Sequence, residues 1–207
     1  MIKETIVEIF DNIWPMIVIF SFILVSLRIT AIICNKEKLI LHKELFSLMF
    51  FIYILILFYI VTFQDNNYGF VNFTPFKEMF RYEFGTNLFY KNIVGNILLF
   101  MPLGLFVSTF IKIKSGIPIL VVSTISSLSI EFTQMAIGRV FDIDDVILNI
   151  FGGILGYFVY IGLKAIRNKL PSILKKDWFL NIVIVTILII LILYFTNLHT
   201  IIWGYIR

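Results

Sequence analysis

"SIEFTQMAIGRVFDIDDVILNIFGG", residues 129–153, crowds Glu131, Gln134, Arg139, Asp142, Asp144, Asp145 and Asn149 into nineteen positions of an otherwise apolar chain. The runs on either side, Ile117 to Ile137 and Val146 to Leu163, are long enough to cross a hydrocarbon core as helices, which takes roughly 20 apolar residues. In lipid a single segment satisfies its backbone polar groups only by becoming a helix. The stretch therefore reads as two membrane helices joined by a short polar turn, "GRVFDIDD".

Four more runs of the same kind lie outward from it: Trp14 to Ile33, Phe46 to Phe63, Ile93 to Ile111 and Trp178 to Phe195. The composition agrees, with 60% hydrophobic and 14% charged residues and a mean hydropathy of +0.99, where soluble domains carry about 25% charge. The expected fold is all-α: a polytopic integral membrane helix bundle of about six transmembrane helices in a single domain, 1–207. The many β-branched residues do not argue for strands at these lengths. "MIKETIVEIFDN" sets Glu4, Glu8 and Asp11 against Lys3, and the apolar run after it ends at "CNKEK" without a small-residue cleavage site. It reads as a retained span, not a cleaved signal. The single cysteine, Cys34, excludes an intrachain disulfide and any thiol-redox or zinc spacing.

The net charge of +4 and pI near 9.1 would suggest nucleic acid in a soluble protein. Here the basic residues fill short gaps between apolar runs, so membrane topology explains them and no nucleic-acid partner is expected. Eleven of the seventeen Lys and Arg residues lie on the side of the first, third and fifth loops, which places that side in the cytoplasm. Both termini, the 64–91 loop and "GRVFDIDD" then face outward from the cytoplasmic membrane. Within 64–91, Thr74 suits an N-cap, Pro75 the first helical position and Gly85 the end. Phe76, Met79, Phe80 and Phe84 fall on one face between them. This predicts a short amphipathic helix at the outer interface, with Phe76, Phe80 and Phe84 toward lipid. The plainer alternative is a belt of interfacial aromatics.

The polar residues fall on shared helix faces. Glu131 and Gln134 are three apart, with Ser123 and Ser127 extending their stripe inward. Asp142, Asp145 and Asn149 enter the fifth span on one face, continued by Gly152 and Gly156. Asn92 and Asn96 are four apart at the start of the third. At 1.5 Å per residue, Glu131 lies about 9 Å and Asn96 and Asn149 roughly 6 Å inside the outer ends of their spans. Ionisable groups at that depth are costly and face a bundle interior or a watery cavity. Glu131 is expected to be either neutral through burial or paired with Arg139, for which Asp142 and Asp145 compete. Asp144 reads as a solvated loop charge. The asparagines, Gln134 and the serines also suit interhelical hydrogen bonding, and Gly152/Gly156 a close-packing face. Pro102 is expected to kink the third span.

"DIDD" supplies hard oxygen ligands, but its spacing is not that of an EF-hand and Arg139 adjoins it, so no metal and no cofactor are expected. His42 and His199 fall on opposite sides of the membrane, which excludes a shared serine–histidine site, and glycine-rich phosphate loops are absent. "NIVGNILLFMPLG" (92–104) and "DVILNIFGGILG" (145–156) echo one another, each with a polar residue four before an asparagine and a run into glycine.

These elements together resemble the VanZ family of small bacterial membrane proteins, over a core from Asn72 to about Tyr157. "NFTPF" (72–76) is similar to the family's Asn-x-x-Pro-Phe element and "NIVGNILLFMPLG" to its third-span signature. Glu131 and Gln134 match its Glu-x-x-Gln pair, and "GRVFDIDDVILNIFGGILG" its Arg, Asp-x-x-Asp, Asn and glycine series. The resemblance implies a cell-envelope protein of a Gram-positive bacterium giving low-level resistance to teicoplanin, a lipid-tailed glycopeptide antibiotic. Its partners would be membrane lipids and the lipoglycopeptide or a lipid-linked cell-wall precursor. The candidate site comprises Glu131, Gln134, Arg139, Asp142, Asp145, Asn149, Asn92 and Asn96. Two rivals share these residues: a membrane-embedded enzyme on a polyprenyl or phospholipid substrate, with Glu131 as acid or base, and a proton-coupled transporter with Glu131 as relay. No motif requires catalysis. An ATP-driven pump is excluded for this chain, which has no nucleotide-binding module.

Overall fold

The computed structural model describes residues 2–63, 71–111, 113 and 115–195. Six long helices form: α1 (Ile2–Asn35), α2 (Leu41–Phe63), α3 (Asn87–Ile111), α4 (Ile117–Ala136), α5 (Ile143–Lys169) and α6 (Asp177–Phe195). Each of the six apolar runs lies in one of them, α4 ending one residue short at Ala136. Among the described residues there is no strand, and the protein is an all-α membrane helix bundle. α2 to α5, and α1 from Asp11 onward, are long and apolar enough to cross a membrane. α6 is apolar from Trp178 but its described side chains stop at Ile189. His199, Lys112 and Lys114 lie outside the described residues.

The chain forms two compact units, 1–19 with 50–165 and 20–49 with 166–207. In the first, Phe100, Leu103 and Val107 of α3 pack with Leu57 and Val61 of α2 and Ile119 of α4. The Phe106 ring sits 5.1 Å from Phe50 and 5.9 Å from Tyr53, and the Tyr53 hydroxyl donates to the Leu99 carbonyl at 2.8 Å. α5 meets α3 backbone to backbone. A Cβ added at Gly152 or Gly156 would collide with the carbonyl oxygen of Ile97 or Met101, and one at Gly104 with that of Gly153. Small residues permit this approach where no hydrophobic effect drives helices together. The two echoing segments are thus each other's packing partners. Leu98, Ile117, Ile125 and Phe158 point outward, as expected where the solvent is lipid.

In the second unit, the Arg28 guanidinium binds both oxygens of Glu44 at 2.8 and 2.9 Å and reaches Glu37 at 3.0 Å. The Asn181 side-chain oxygen accepts from the backbone N–H of His42 at 3.0 Å and faces its Nδ1 at 2.8 Å, with Asp177 3.5 Å from Nε2.

In place of the amphipathic helix expected from Thr74 to Gly85, the chain makes a run of turns with one 3-10 turn, Met79–Arg81. Phe76 has a φ of 66°, a left-handed conformation that a bulky L-residue rarely adopts and that interrupts a helix. The helical periodicity of four apolar residues, Phe76, Met79, Phe80 and Phe84, is overridden because a carboxylate from another helix, Asp144, takes the backbone N–H groups. Phe76, Phe80 and Phe84 are nonetheless exposed. Gly85, at φ 85°, leads into Thr86, which N-caps α3 by accepting from the Phe89 N–H at 3.2 Å.

Candidate functional site

The site begins with two aspartates that tie the 72–82 loop to the start of α5. Asn72 pairs with Asp142 in a two-residue bridge: its N–H donates to the Phe141 carbonyl at 3.0 Å and its own carbonyl accepts from the Ile143 N–H at 3.1 Å. The Asn72 amide also donates to Asp142 Oδ1 at 2.8 Å. Asp144 is 2% exposed. Its carboxylate accepts from three backbone N–H groups, those of Phe76 at 2.5 Å, Glu78 at 2.8 Å and Met79 at 3.1 Å. The expectation of a solvated loop charge is therefore corrected: Asp144 is a buried anchor. A carboxylate in the first turn of a helix is favoured by the helix dipole as well.

A second group hangs on the turn after α4. Gly138 takes a φ of 86° as the residue after the C-cap. The Arg139 N–H bonds back to the Gln134 carbonyl at 2.9 Å and the Gly138 N–H to that of Met135 at 3.2 Å, the paired closure of a Schellman motif. This folds Arg139 back over its own helix. The Gln134 amide satisfies both neighbours when its nitrogen donates to Glu131 Oε1 at 3.1 Å and its oxygen accepts from Arg139 Nη1 at 3.0 Å. Arg139 Nη1 also donates to the Val61 carbonyl at 2.8 Å. Glu131, 1% exposed, accepts the Asp142 N–H on Oε2 at 3.0 Å. Glu131 and Arg139 are thus linked through Gln134. Among the described residues no carboxylate, Asp142 and Asp145 included, lies within ion-pair distance of Arg139.

The third group joins α3 to α5. Asn96 donates to Asp145 Oδ1 at 2.5 Å, and deeper down Asn149 donates to the Ser127 hydroxyl of α4 at 3.0 Å. Asn92 lies in a π-helical turn, Tyr90–Val94, a local widening common at functional positions. All three helices therefore contribute polar groups at one end of this unit.

These groups surround a pocket of about 470 Å³. Its walls come from the loop (Asn72, Glu78, Met79, Arg81, Tyr82), α3 (Leu88, Asn92, Ile93), the α4 end (Gln134, Arg139, Val140) and α5 (Asp142, Asp144, Asp145, Leu148). Of the expected site residues, Gln134, Arg139, Asp142, Asp145 and Asn92 line it. Glu131 and Asn96 lie outside the lining and bond to it, Glu131 to the Asp142 N–H and the Gln134 amide and Asn96 to Asp145, while Asn149 bonds Ser127, away from the walls. Burial pushes the Asp142 carboxyl above its ordinary value, and Asp144 and Glu78 push the same way against the Asp144 N–H and the Asn72 amide. Burial, with Glu78 and Asp145 nearby, likewise raises the Tyr82 phenol against the opposing pull of Arg81, so Tyr82 remains a hydrogen-bond donor at neutral pH. Among the described residues no three His, Cys, Asp or Glu side chains converge as a metal site. The pocket thus offers two guanidinium groups, Arg81 paired with Glu78 and Arg139 with no carboxylate in direct contact among the described residues, together with several carboxylates and neutral amide and phenol groups, which suits polar recognition. Glu78, Arg81 and Tyr82 were not expected in it; only the fold-back of their loop brings them there.

The family model VanZ/LLP1 matches residues 45–167, which contain the whole pocket, and the chain belongs to that family. It is 30% identical to Protein VanZ of Enterococcus faecium over 131 residues, 62% of this chain and 73% of that protein. No solved structure matches the chain. With its five long apolar helices, the chain is a multi-pass membrane protein of the VanZ type.

Proposed function

We propose that this protein lowers the sensitivity of a Gram-positive cell to teicoplanin-like lipoglycopeptides through a polar, lipid-binding site that opens on the outer side of the membrane. The observation that carries the reading is the pocket itself. It joins a charged, hydrogen-bonding interior to a loop whose Phe76, Phe80 and Phe84 are exposed. An amphiphile with a polar head and an apolar tail needs both surfaces, side by side and at the end of a membrane bundle. The positive-inside count supports an outward orientation, and family membership supports the resistance role. The ligand would be the lipoglycopeptide or a lipid-linked wall precursor.

The test is growth inhibition of a sensitive Gram-positive host expressing the wild type, Arg139→Ala or Glu131→Gln at matched membrane levels. Teicoplanin is compared with vancomycin, which lacks the lipid tail. Protection against teicoplanin alone, lost in both variants, is expected. Full protection by both variants would refute the site, and no protection by the wild type would refute the resistance role.

A further inference from the structure

We infer that the pocket takes an amphiphile with a zwitterionic headgroup, its anion on Arg139 and its ammonium facing Asp142 and Asp145. This deepens the lipid-site reading above and rests on it. The charges of the pocket walls are complementary to such a headgroup. Both bonds of Arg139 use Nη1 and both acceptors, the Val61 carbonyl and the Gln134 amide, are neutral. No carboxylate among the described residues lies within ion-pair distance of the guanidinium; Glu131 and Asp145 act on it only from farther off. A partly buried arginine with no carboxylate in direct contact, and with Nη2 and Nε uncommitted, is a seat for phosphate or carboxylate, which it binds through paired N–H groups.

The remaining walls are net acidic, with four carboxylates against the one guanidinium of Arg81, and two of those carboxylates are already committed. Glu78 is paired with Arg81 at 3.0 Å, and Asp144 is saturated by three backbone N–H groups. Asp142 and Asp145 are left. Their hydrogen bonds come from amide groups, which carry no charge, and no Lys or Arg among the described residues pairs with them. A simple anion would satisfy Arg139 and face two carboxylates; a simple cation would do the reverse. A headgroup carrying both charges satisfies both walls, and unpaired charge in a desolvated site is what an interface selects against. The pocket's 470 Å³ admits a small headgroup, while the loop that forms its wall carries the exposed aromatic rings to meet the chains.

The test uses full-length protein in neutral detergent, with bound lipid quantified by native mass spectrometry. Phosphatidylethanolamine (phosphate plus ammonium) is set against phosphatidylglycerol (phosphate alone) at equal concentration. The expected result is at least a tenfold preference for the ethanolamine lipid. Asp145→Asn, which keeps the volume and the Asn96 contact, should abolish that preference, and Arg139→Gln should weaken both lipids. Equal or tighter binding of phosphatidylglycerol by the wild type would overturn the inference, whether or not the variants fold. So would a preference untouched by Asp145→Asn. Selectivity without protection from teicoplanin would sink the resistance role and leave this inference standing; protection without selectivity would do the opposite.

Discussion

Asp144→Ala is the perturbation whose consequence follows most directly from the geometry. The carboxylate holds the N–H groups of Phe76, Glu78 and Met79 and, through them, the left-handed turn at Phe76. Hydrogen bonds to a charged group contribute about 1.5–3 kcal/mol each, so three would sum to roughly 5–9 kcal/mol if the loop stayed in place with its donors orphaned. It need not stay. The loop can lift and give those N–H groups to water, which limits the net loss to the free energy of docking it, about 2–4 kcal/mol. That is a rise of roughly 30- to 1000-fold in the open fraction, at 1.4 kcal/mol per factor of ten. Amide hydrogen exchange in nanodiscs reads this locally. Protection over residues 76–79 should fall by that factor in Asp144→Ala, and by less in Asp144→Asn, which keeps one acceptor. Protection along α4 should hardly change. Unaltered exchange at 76–79 in Asp144→Ala would refute the anchoring role and the reading of the pocket wall built on it.

Three further outcomes follow from the same contacts. Gly156→Leu drives a side chain into the Met101 carbonyl, while Gly162 faces open space. The first should cost about 3 kcal/mol or prevent folding, lowering the unfolding temperature by about 6–12 °C, and Gly162→Ala should be neutral. Asn96→Ala removes a bond to the Asp145 carboxylate and should cost about 1.5–3 kcal/mol, read as a lower unfolding temperature in detergent. Asp142 is raised in the folded protein above its unfolded value, chiefly by burial. Its contribution to stability is therefore full below the ordinary carboxylate range and is lost as pH rises through the raised value. Asp142→Asn should flatten that fall in a pH series of melting temperatures; an unchanged slope would contradict the assignment.

The helices were legible because a membrane span is a length of apolar sequence and little else competes to explain one. A close-packing face on α5 was legible from Gly152 and Gly156, four apart, but that α3 is the helix it meets came only from the structure. The polar turn after α4 was legible, but not the Schellman closure at Gly138 that sets Arg139 over Gln134, because it depends on backbone hydrogen bonds rather than on side-chain pattern. Asp144 was not legible. An aspartate in a polar turn looks solvated, and its partners lie 65 to 68 residues earlier in the chain. Nor was the backbone at Phe76, where propensity and periodicity favour a helix and a single remote carboxylate decides otherwise. Asn72 stood in a recognised motif without a role until its bridge to Asp142 explained why "NFTPF" and "DIDD" go together.

The functional account depends most on which side of the membrane the pocket faces, and cysteine labelling measures that. Cys34→Ser removes the one native thiol. On that background Phe84→Cys places a thiol on the exposed loop beside the pocket, and Lys169→Cys one at the exposed end of α5. A membrane-impermeant maleimide applied to intact cells should label position 84 at once and position 169 only after lysis. Labelling of 169 in intact cells, with 84 protected until lysis, would turn the pocket toward the cytoplasm and contradict the account.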